Sequence, residues 1–311
     1  FQRERFWLDA PKASGVIPAA ASPAEARFWS AVEDGDVATV TDALDVGDDE
    51  RRAALATLLP TLATWRRARR AQSTIDAWRY RVAWRALTAP PKGDVAGTWL
   101  VVAPEVAGAL ADGVARALEA RGARGVLVPV DAEDAARTPL AGRLRAAAGG
   151  EAIRGVISFA ALDERPAPLE PSVPLGLAVS LGLVQALGDA AIDAPLWLVT
   201  RGAVAVGASE RVTRPLMTWG LGRVVAHPER WGGLVDLGEE SAPDANGARD
   251  ANVHDRLANL LARRDDEDQL ALRAAGTYVR RLVRAPHDGA RAPAFAPRGA
   301  ALVTGGTGAL G

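Results

Sequence analysis

Residues 301–311 read ALVTGGTGALG, a short apolar strand that runs straight into a glycine-rich turn. A buried strand followed by glycines at Gly305, Gly308 and Gly311 is how a dinucleotide-binding βα unit begins. The glycines let backbone amides approach a pyrophosphate at the N-terminus of the next helix. That helix is not in the sequence, so two readings stand. Either the chain is cut at the mouth of a cofactor site, or the glycines form an incidental flexible tail. A strand left without its covering helix exposes an edge that invites aggregation, so the expectation is a fragment of a larger enzyme.

Upstream of this turn the sequence alternates strands and helices. Apolar runs at 98–103, 125–130, 155–160 and 195–200 are separated by helical stretches, and Asp268–Arg284 reads as two strands joined around Ala274-Ala275-Gly276. Such alternation predicts a parallel sheet with helices on its faces. The first βα turn of this sheet, Pro104-Glu105-Val106-Ala107-Gly108, lacks the glycine spacing and places a carboxylate where a pyrophosphate would approach. This half is therefore expected to bind no dinucleotide. The other glycine-rich places, Trp219-Gly220-Leu221-Gly222 and Trp231-Gly232-Gly233, read as close packing around tryptophan.

A different pattern precedes the sheet. Residues 11–23 are rich in Pro, Ala, Ser and Gly and read as a linker. Ser22-Pro23-Ala24-Glu25 then has the form of a capping box with proline at the first helical position, and Gly35 is placed to end that helix. Val37, Val40 and Leu44 predict a second short helix. Leu55, Leu58, Leu59, Leu62 and Trp65 predict a third, interrupted at Pro60. Helices this short need an apolar face to pack on, which is either the downstream domain or a second copy of the chain across a two-fold axis. Arg66, Arg67, Arg69 and Arg70 read as a solvated helix end whose cations complement the dipole. Trp78, Tyr80, Val82 and Trp84 alternate with polar or small residues, as in a half-buried strand with an aromatic inner face.

Composition narrows the partners. The chain has 311 residues, with 37 basic against 38 acidic side chains and a net charge of −1, so no long-range field draws it to nucleic acid or an anionic membrane. It has no cysteine, which excludes disulfides and thiolate metal sites and fits a reducing, cytoplasmic setting. Its apolar runs fall far short of the ~20 residues that a membrane span needs. His227, His254 and His287 lack metal-ligand spacing, and the acidic run Asp265, Asp266, Glu267 and Asp268 reads as a solvated loop rather than a cation site. Ser158 and Ser209 have no nucleophile-elbow context. No metal site and no catalytic residue is expected.

TGGTGALG (304–311) after the PRGAALV strand (297–303) resembles the start of the catalytic half of a ketoreductase domain from a modular type I polyketide synthase. The rest of the chain agrees in order. FQRERFWL (1–8) is similar to the end of the linker after an acyltransferase domain. EARFWSAVEDGD (25–36), LLPTLATWRRARR (58–70) and DAWRYRVAWRAL (76–87) resemble the helical dimerisation element and first strand. LWLVTRGAVAVG (196–207), WGLGRVVAHPERWGGLVDL (219–237) and DQLALRAAGTYVRRLVRA (268–285) resemble the ketoreductase structural subdomain. One departure is Ala226, a single residue between Val225 and His227 where the family carries a few more.

The resemblance implies a fold and a role. The fold is α/β, a truncated Rossmann-like subdomain of the short-chain dehydrogenase/reductase type preceded by a small helical module. The implied divisions are a post-acyltransferase linker at 1–21, a helical dimerisation element at 22–73, a structural subdomain at 74–297 and the opening of the NADPH-binding catalytic subdomain at 298–311. Thr304, Gly305, Gly306, Thr307, Gly308 and Gly311 would belong to the NADPH site. In the complete family enzyme a tyrosine, helped by a serine and a lysine, protonates the reduced β-carbonyl of a polyketide held on an acyl carrier protein. Here the tyrosines are Tyr80 and Tyr278, neither has lysine four residues on, and no lysine follows Lys92. The resemblance thus implies the supporting half of a ketoreductase that is inactive by itself. Its implied partners are a second copy through the helical element, the acyl carrier protein and neighbouring synthase domains. A non-catalytic dimerising scaffold is the alternative.

Overall fold

The computed structural model describes residues 22–87, 93–207, 210–212, 217–226, 230–239, 253–263, 267–285, 298–300 and 302. They divide into two compact units. One is Val82–Val283; the other holds the described residues of Phe1–Arg81 and Arg284–Gly311.

The second of these is built on three helices, α1 (Pro23–Asp34), α2 (Val37–Ala43) and α3 (Asp49–Trp78). Each begins at a side chain that satisfies an otherwise orphaned amide. The Ser22 hydroxyl accepts from the Glu25 amide at 3.1 Å, Asp36 accepts from the Thr39 amide at 3.1 Å, and Asp48 accepts from the Arg51 amide at 2.8 Å. Gly35 closes α1 at φ 73°, a left-handed conformation that glycine adopts without strain. Ala31, Val32, Val40, Leu59 and Ala63 form the small core.

Three sequence expectations fail in this unit. Pro60 does not interrupt the third helix, which runs unbroken for 30 residues. The fixed φ of proline is itself helical, so the loss is one backbone hydrogen bond and a local clash. Leu59 and Ala63, buried on either side of it, anchor the helix through the defect. The arginine run, expected at a helix end, lies inside α3 instead. The Arg66 guanidinium sits 4.5 Å over the Trp29 ring, and Glu33 pairs with Arg66 at 3.9 Å and Arg70 at 3.3 Å. These cations tie α3 to α1 instead of facing a dipole. Finally, Trp78 ends α3 and is not on the following strand, β1 (Tyr80–Ala86). Tyr80 and Val82 are exposed, with the Arg284 guanidinium 5.3 Å over the Tyr80 ring, and Trp84 packs edge-on to Trp219 at 5.9 Å.

The larger unit follows the predicted alternation. In order come β2 (Gly97–Pro104), α4 (Gly108–Glu119), β3 (Ala123–Val130), α5 (Arg137–Ala148), β4 (Ile153–Ser158), α6 (Leu175–Asp189) and β5 (Leu196–Arg201). Then follow α7 (Met217–Val225), β6 (Trp231–Leu237), α8 (Val253–Leu261), β7 (Gln269–Arg273) and β8 (Gly276–Arg284). The sheet runs β1-β8-β7-β6-β5-β4-β2-β3. It is parallel from β3 to β7, and β7 pairs antiparallel with β8.

Strand periodicity divides the core between two faces. Val101, Ile157, Val199 and Val235 pack against α4 and α8, while Leu100, Val102, Val156 and Leu198 pack against α5, α6 and α7. This is a doubly wound, Rossmann-like α/β fold, as expected. β6 is a strand beyond the predicted apolar runs, because its glycines hide the pattern. A Cβ at Gly232 would fall 2.4 Å from the Trp197 indole, so the strand has given up side chains to admit that ring. No helix among the described residues is long and apolar enough to cross a membrane.

A similar close approach exists at Gly155, where a Cβ would fall 2.3 Å from the Trp99 ring. Gly155→Ala is expected to lower stability by about 1–3 kcal/mol in urea unfolding, because the ring has no room to retreat within the core. An unchanged midpoint would show that the strand and Trp99 are not packed this closely.

Candidate functional site

Chain order reverses between β2 and β4, since β3 lies on one side of β2 and β4 on the other. In a parallel sheet such a reversal opens a crevice at the carboxyl ends of the strands, where ligands bind. Two cavities flank the β2–α4 turn. One, of about 320 Å³, is lined by Val106, Asp163, Arg165, Thr200, Arg201 and Met217 among others. The second, of about 510 Å³, lies on the β3 side and includes Ala103, Glu105, Gly108, Leu127 and Asp131 in its lining. Between them the chain makes a single 3-10 turn, Glu105–Ala107, and enters α4 at Gly108 with ordinary helical φ of −55°. Glycine's conformational freedom is unused in this turn, and Val106 projects into solvent, 70% exposed. The turn thus carries a carboxylate at Glu105 and a right-handed backbone at Gly108.

Two charged residues of the first cavity, Asp163 and Arg165, pair with each other. Asp163 is buried and grips Arg165, with Nε at 2.9 Å and Nη2 at 2.6 Å from its two oxygens, while the Arg165 amide donates at 3.1 Å. These hydrogen bonds hold the Asp163 carboxyl below its ordinary pKa. The fork is bidentate, the strong form of this contact.

Behind the crevice lies a deeper network. Asp236, at the end of β6 and fully buried, accepts from the Thr200 hydroxyl at 2.7 Å, the Ala203 amide at 2.8 Å and Arg273 Nη2 at 2.9 Å. Arg273 also reaches Glu210 at 3.0 Å and the Val204 carbonyl at 2.8 Å, and the Trp219 indole donates to Thr200 at 2.9 Å. Burial pushes the Asp236 carboxyl above its ordinary pKa, opposed by Thr200, the Ala203 amide and Arg273. The network clamps the loop after β5 to β6 and β7. It positions chain, and Thr200 is its member in the lining of the first cavity.

Other candidates resolve as structural. The Ser158 hydroxyl is buried and accepts from the Ala160 amide at 3.3 Å. His254 packs on α4, where a Cβ at Gly113 would fall 2.3 Å from its ring. Glu267 pairs with Arg281, and Asp268 accepts from the Trp231 indole at 3.2 Å. Among the described residues no group of His, Cys, Asp or Glu is placed to hold a metal ion. Thr304, Gly305, Gly306, Thr307, Gly308 and Gly311 lie outside the described residues, as do Ser209, His227, Asp265, Asp266 and His287. The Asp236–Arg273 pair escaped the sequence reading. Its trace was a single carboxylate in LVDL and a single cation in LALR, each in an otherwise apolar strand.

Residues 25–71 match the polyketide synthase dimerisation element domain. Over its whole length the chain is 49% identical to polyketide synthase GfsA and 42% identical to polyketide synthase GfsB, both of Streptomyces halstedii. The solved structure of a C2-type ketoreductase from a modular polyketide synthase is 44% identical, with a TM-score of 0.58 over 68% of this chain and 45% of that one. The chain resembles the ketoreductase region of modular polyketide synthases. An A1-type ketoreductase, at 37% identity and TM-score 0.56, covers the same 68% of the chain and 43% of its own length. This ketoreductase-like region therefore spans under half of the solved ketoreductases, and 4% and 6% of the two Streptomyces synthases.

Two outcomes test the clamps. Asp236→Ala leaves Arg273 buried without its carboxylate, and should destabilise the larger unit by about 3–5 kcal/mol in chemical denaturation. A loss under 1 kcal/mol would mean that water replaces the pair. Asp163 has a native pKa below its unfolded value, so its pairing stabilises the fold fully above the unfolded pKa and fades as pH falls below it. The stability gap between the native chain and Asp163→Asn should accordingly be largest near neutral pH and close in acid.

Proposed function

We propose that this chain is the supporting half of a polyketide synthase ketoreductase, joined to the dimerisation element and to the opening of the catalytic half. The divisions follow as a linker at 1–21, the dimerisation element at 22–73, the structural subdomain at 74–297 and the start of the NADPH-binding subdomain at 298–311. One contrast carries the reading. The β2–α4 turn has Glu105 and an ordinary helical Gly108, whereas TGGTGALG has the glycines that a pyrophosphate needs.

In the complete enzyme, NADPH supplies hydride to the β-carbonyl of a polyketide thioester carried by an acyl carrier protein. Thr304, Gly305, Gly306, Thr307, Gly308 and Gly311 would cradle its phosphates. Neither Tyr80 nor Tyr278 is followed four residues on by lysine, so the proton-transfer group lies outside residues 1–311. General acid catalysis is typically worth about 10²–10⁴-fold, and positioning of the hydride donor more. The test is NADPH oxidation with a β-ketoacyl thioester, comparing this chain with one extended by about 200 residues, a domain-sized increment. Activity in the extended chain alone supports the proposal. Turnover by the present chain would overturn it, and inactivity of both would favour a dimerising scaffold.

The helical unit supports self-association. Leu58, Leu62 and Trp65 on α3 are 56%, 40% and 53% exposed, an apolar stripe that a second copy would cover. Sedimentation at tens of micromolar should give a dimer, and Leu58→Asp combined with Leu62→Asp should give a monomer with the sheet unit still folded. A monomeric native chain would remove this part of the proposal.

A further inference from the structure

We propose that the outward faces of α6 and α7 form the surface on which the catalytic half of the ketoreductase docks. The inference rests on the reading of this chain as the supporting half, and it names where the two halves meet.

The sequence of the two helices sets this face. From Leu175 to Gly188, α6 carries no charged residue. Its inward positions, among them Leu175, Val179, Leu183 and Ala186, fill the core. Helical spacing then turns Leu177, Ala178, Leu181 and Val184 outward, and Leu181 is 45% exposed. In α7 the positions i, i+3, i+4 and i+7 repeat the pattern: Met217, Gly220, Leu221 and Val224 face outward, with Val224 84% exposed. The one charge of α7, Arg223, lies off this stripe with its guanidinium 5.8 Å over the Trp219 ring. The two helices are in contact, so their stripes lie side by side. Beyond them Val184, Gly188, Val225 and Trp231 help to line a recess of about 340 Å³. Its polar groups are engaged, since Arg230 donates to Asp193 at 2.5 Å and the Trp231 indole donates to Asp268 at 3.2 Å.

The other helices of the unit are finished as outer surface. α4 presents Asp112, Arg116 and Glu119 to water, α5 presents Arg137 and Arg145, and α8 presents Asp255. Among the described residues, only the stripes of α6 and α7 turn outward without a charge. A contiguous exposed apolar patch of this kind marks an interaction site. One without charge suits a permanent partner rather than a passing one, because obligate interfaces are the more hydrophobic. The catalytic half is such a partner. This chain covers 45% and 43% of two solved ketoreductases, so more than half of each lies outside the match. Joined to this unit by the same backbone, that half meets the face at high effective concentration and needs no charge to steer it.

The experiment compares the present chain with the chain extended by about 200 residues, both labelled by hydroxyl radicals and read by peptide mass spectrometry. Met217 is the one methionine of the sequence, so its oxidation reports on α7 without overlap. Labelling of Met217, Leu181 and Val224 should fall several-fold in the extended chain, while Leu127 and Leu169, exposed elsewhere on the unit, should be unchanged. Leu181→Arg combined with Val224→Arg should leave the urea midpoint of the present chain where it is, because both side chains face water there. In the extended chain the same pair should restore the labelling of Met217. Equal labelling of the two chains, a lowered midpoint in the present chain, or Met217 still protected in the extended variant would each overturn the proposal. Labelling of the present chain that falls as its own concentration rises would give the face to a second copy and overturn it too. An active extended chain without protection defeats this proposal alone, whereas a protected but inactive one counts against the ketoreductase reading and leaves the contact standing.

Discussion

The larger unit depends on the buried pair of Asp236 and Arg273. Each terminates a parallel strand, and together they collect the loose ends at the carboxyl edge of the sheet: the Thr200 hydroxyl, the amide of Ala203 and the carbonyl of Val204. Glu210 extends the network into the loop, and the Trp219 indole extends it to α7. A buried ion pair is weak evidence for net stability, because desolvation consumes much of the attraction. Its consequence here is specificity of arrangement. These hydrogen bonds form together when β5, β6, β7 and the following loop hold this geometry.

The helical unit is organised by a different balance. Its core is five small or medium apolar residues, too few to hold a 30-residue helix by burial alone. Side-chain caps at all three helix starts and the Glu33–Arg66–Trp29 cluster add directional contacts that fix α1 on α3. Leu58, Leu62 and Trp65 stay uncovered within one copy. That outward apolar surface is what the proposed self-association would cover.

Gly108 begins a helix with right-handed backbone and uses none of its special freedom, while Glu105 sets the electrostatics of the crevice. One sheet therefore has the topology of a nucleotide-binding fold without a glycine-rich first turn. The ketoreductase region retains two cavities at the switch point because the topology produces them whether or not a ligand is present.

Much of this was legible in the sequence, for reasons of period and local chemistry. Val101 against Leu100 and Val102 alternates faces because a strand has period two, so the parallel sheet and its apolar runs could be read directly. Ser22, Pro23 and Gly35 announce a helix start and stop through groups whose preferences are local. Glu105, in a turn without the glycine spacing, was the ground for expecting no dinucleotide at that turn. What could not be read depends on partners distant in the chain. Pro60 breaks a helix by local rules, and only burial of Leu59 and Ala63 carries α3 past it. Gly232 makes β6 look like a loop until the Trp197 ring is seen to need its missing side chain. Asp236 and Arg273 are isolated charges in sequence, 37 positions apart, and only the side-by-side pairing of β6 and β7 brings them together. The sequence by itself determined the period, the caps and the charge of each turn, since these act over a few residues. The tertiary structure alone decided which defects are tolerated and which buried charges meet, because those outcomes depend on packing between elements that the chain order keeps apart.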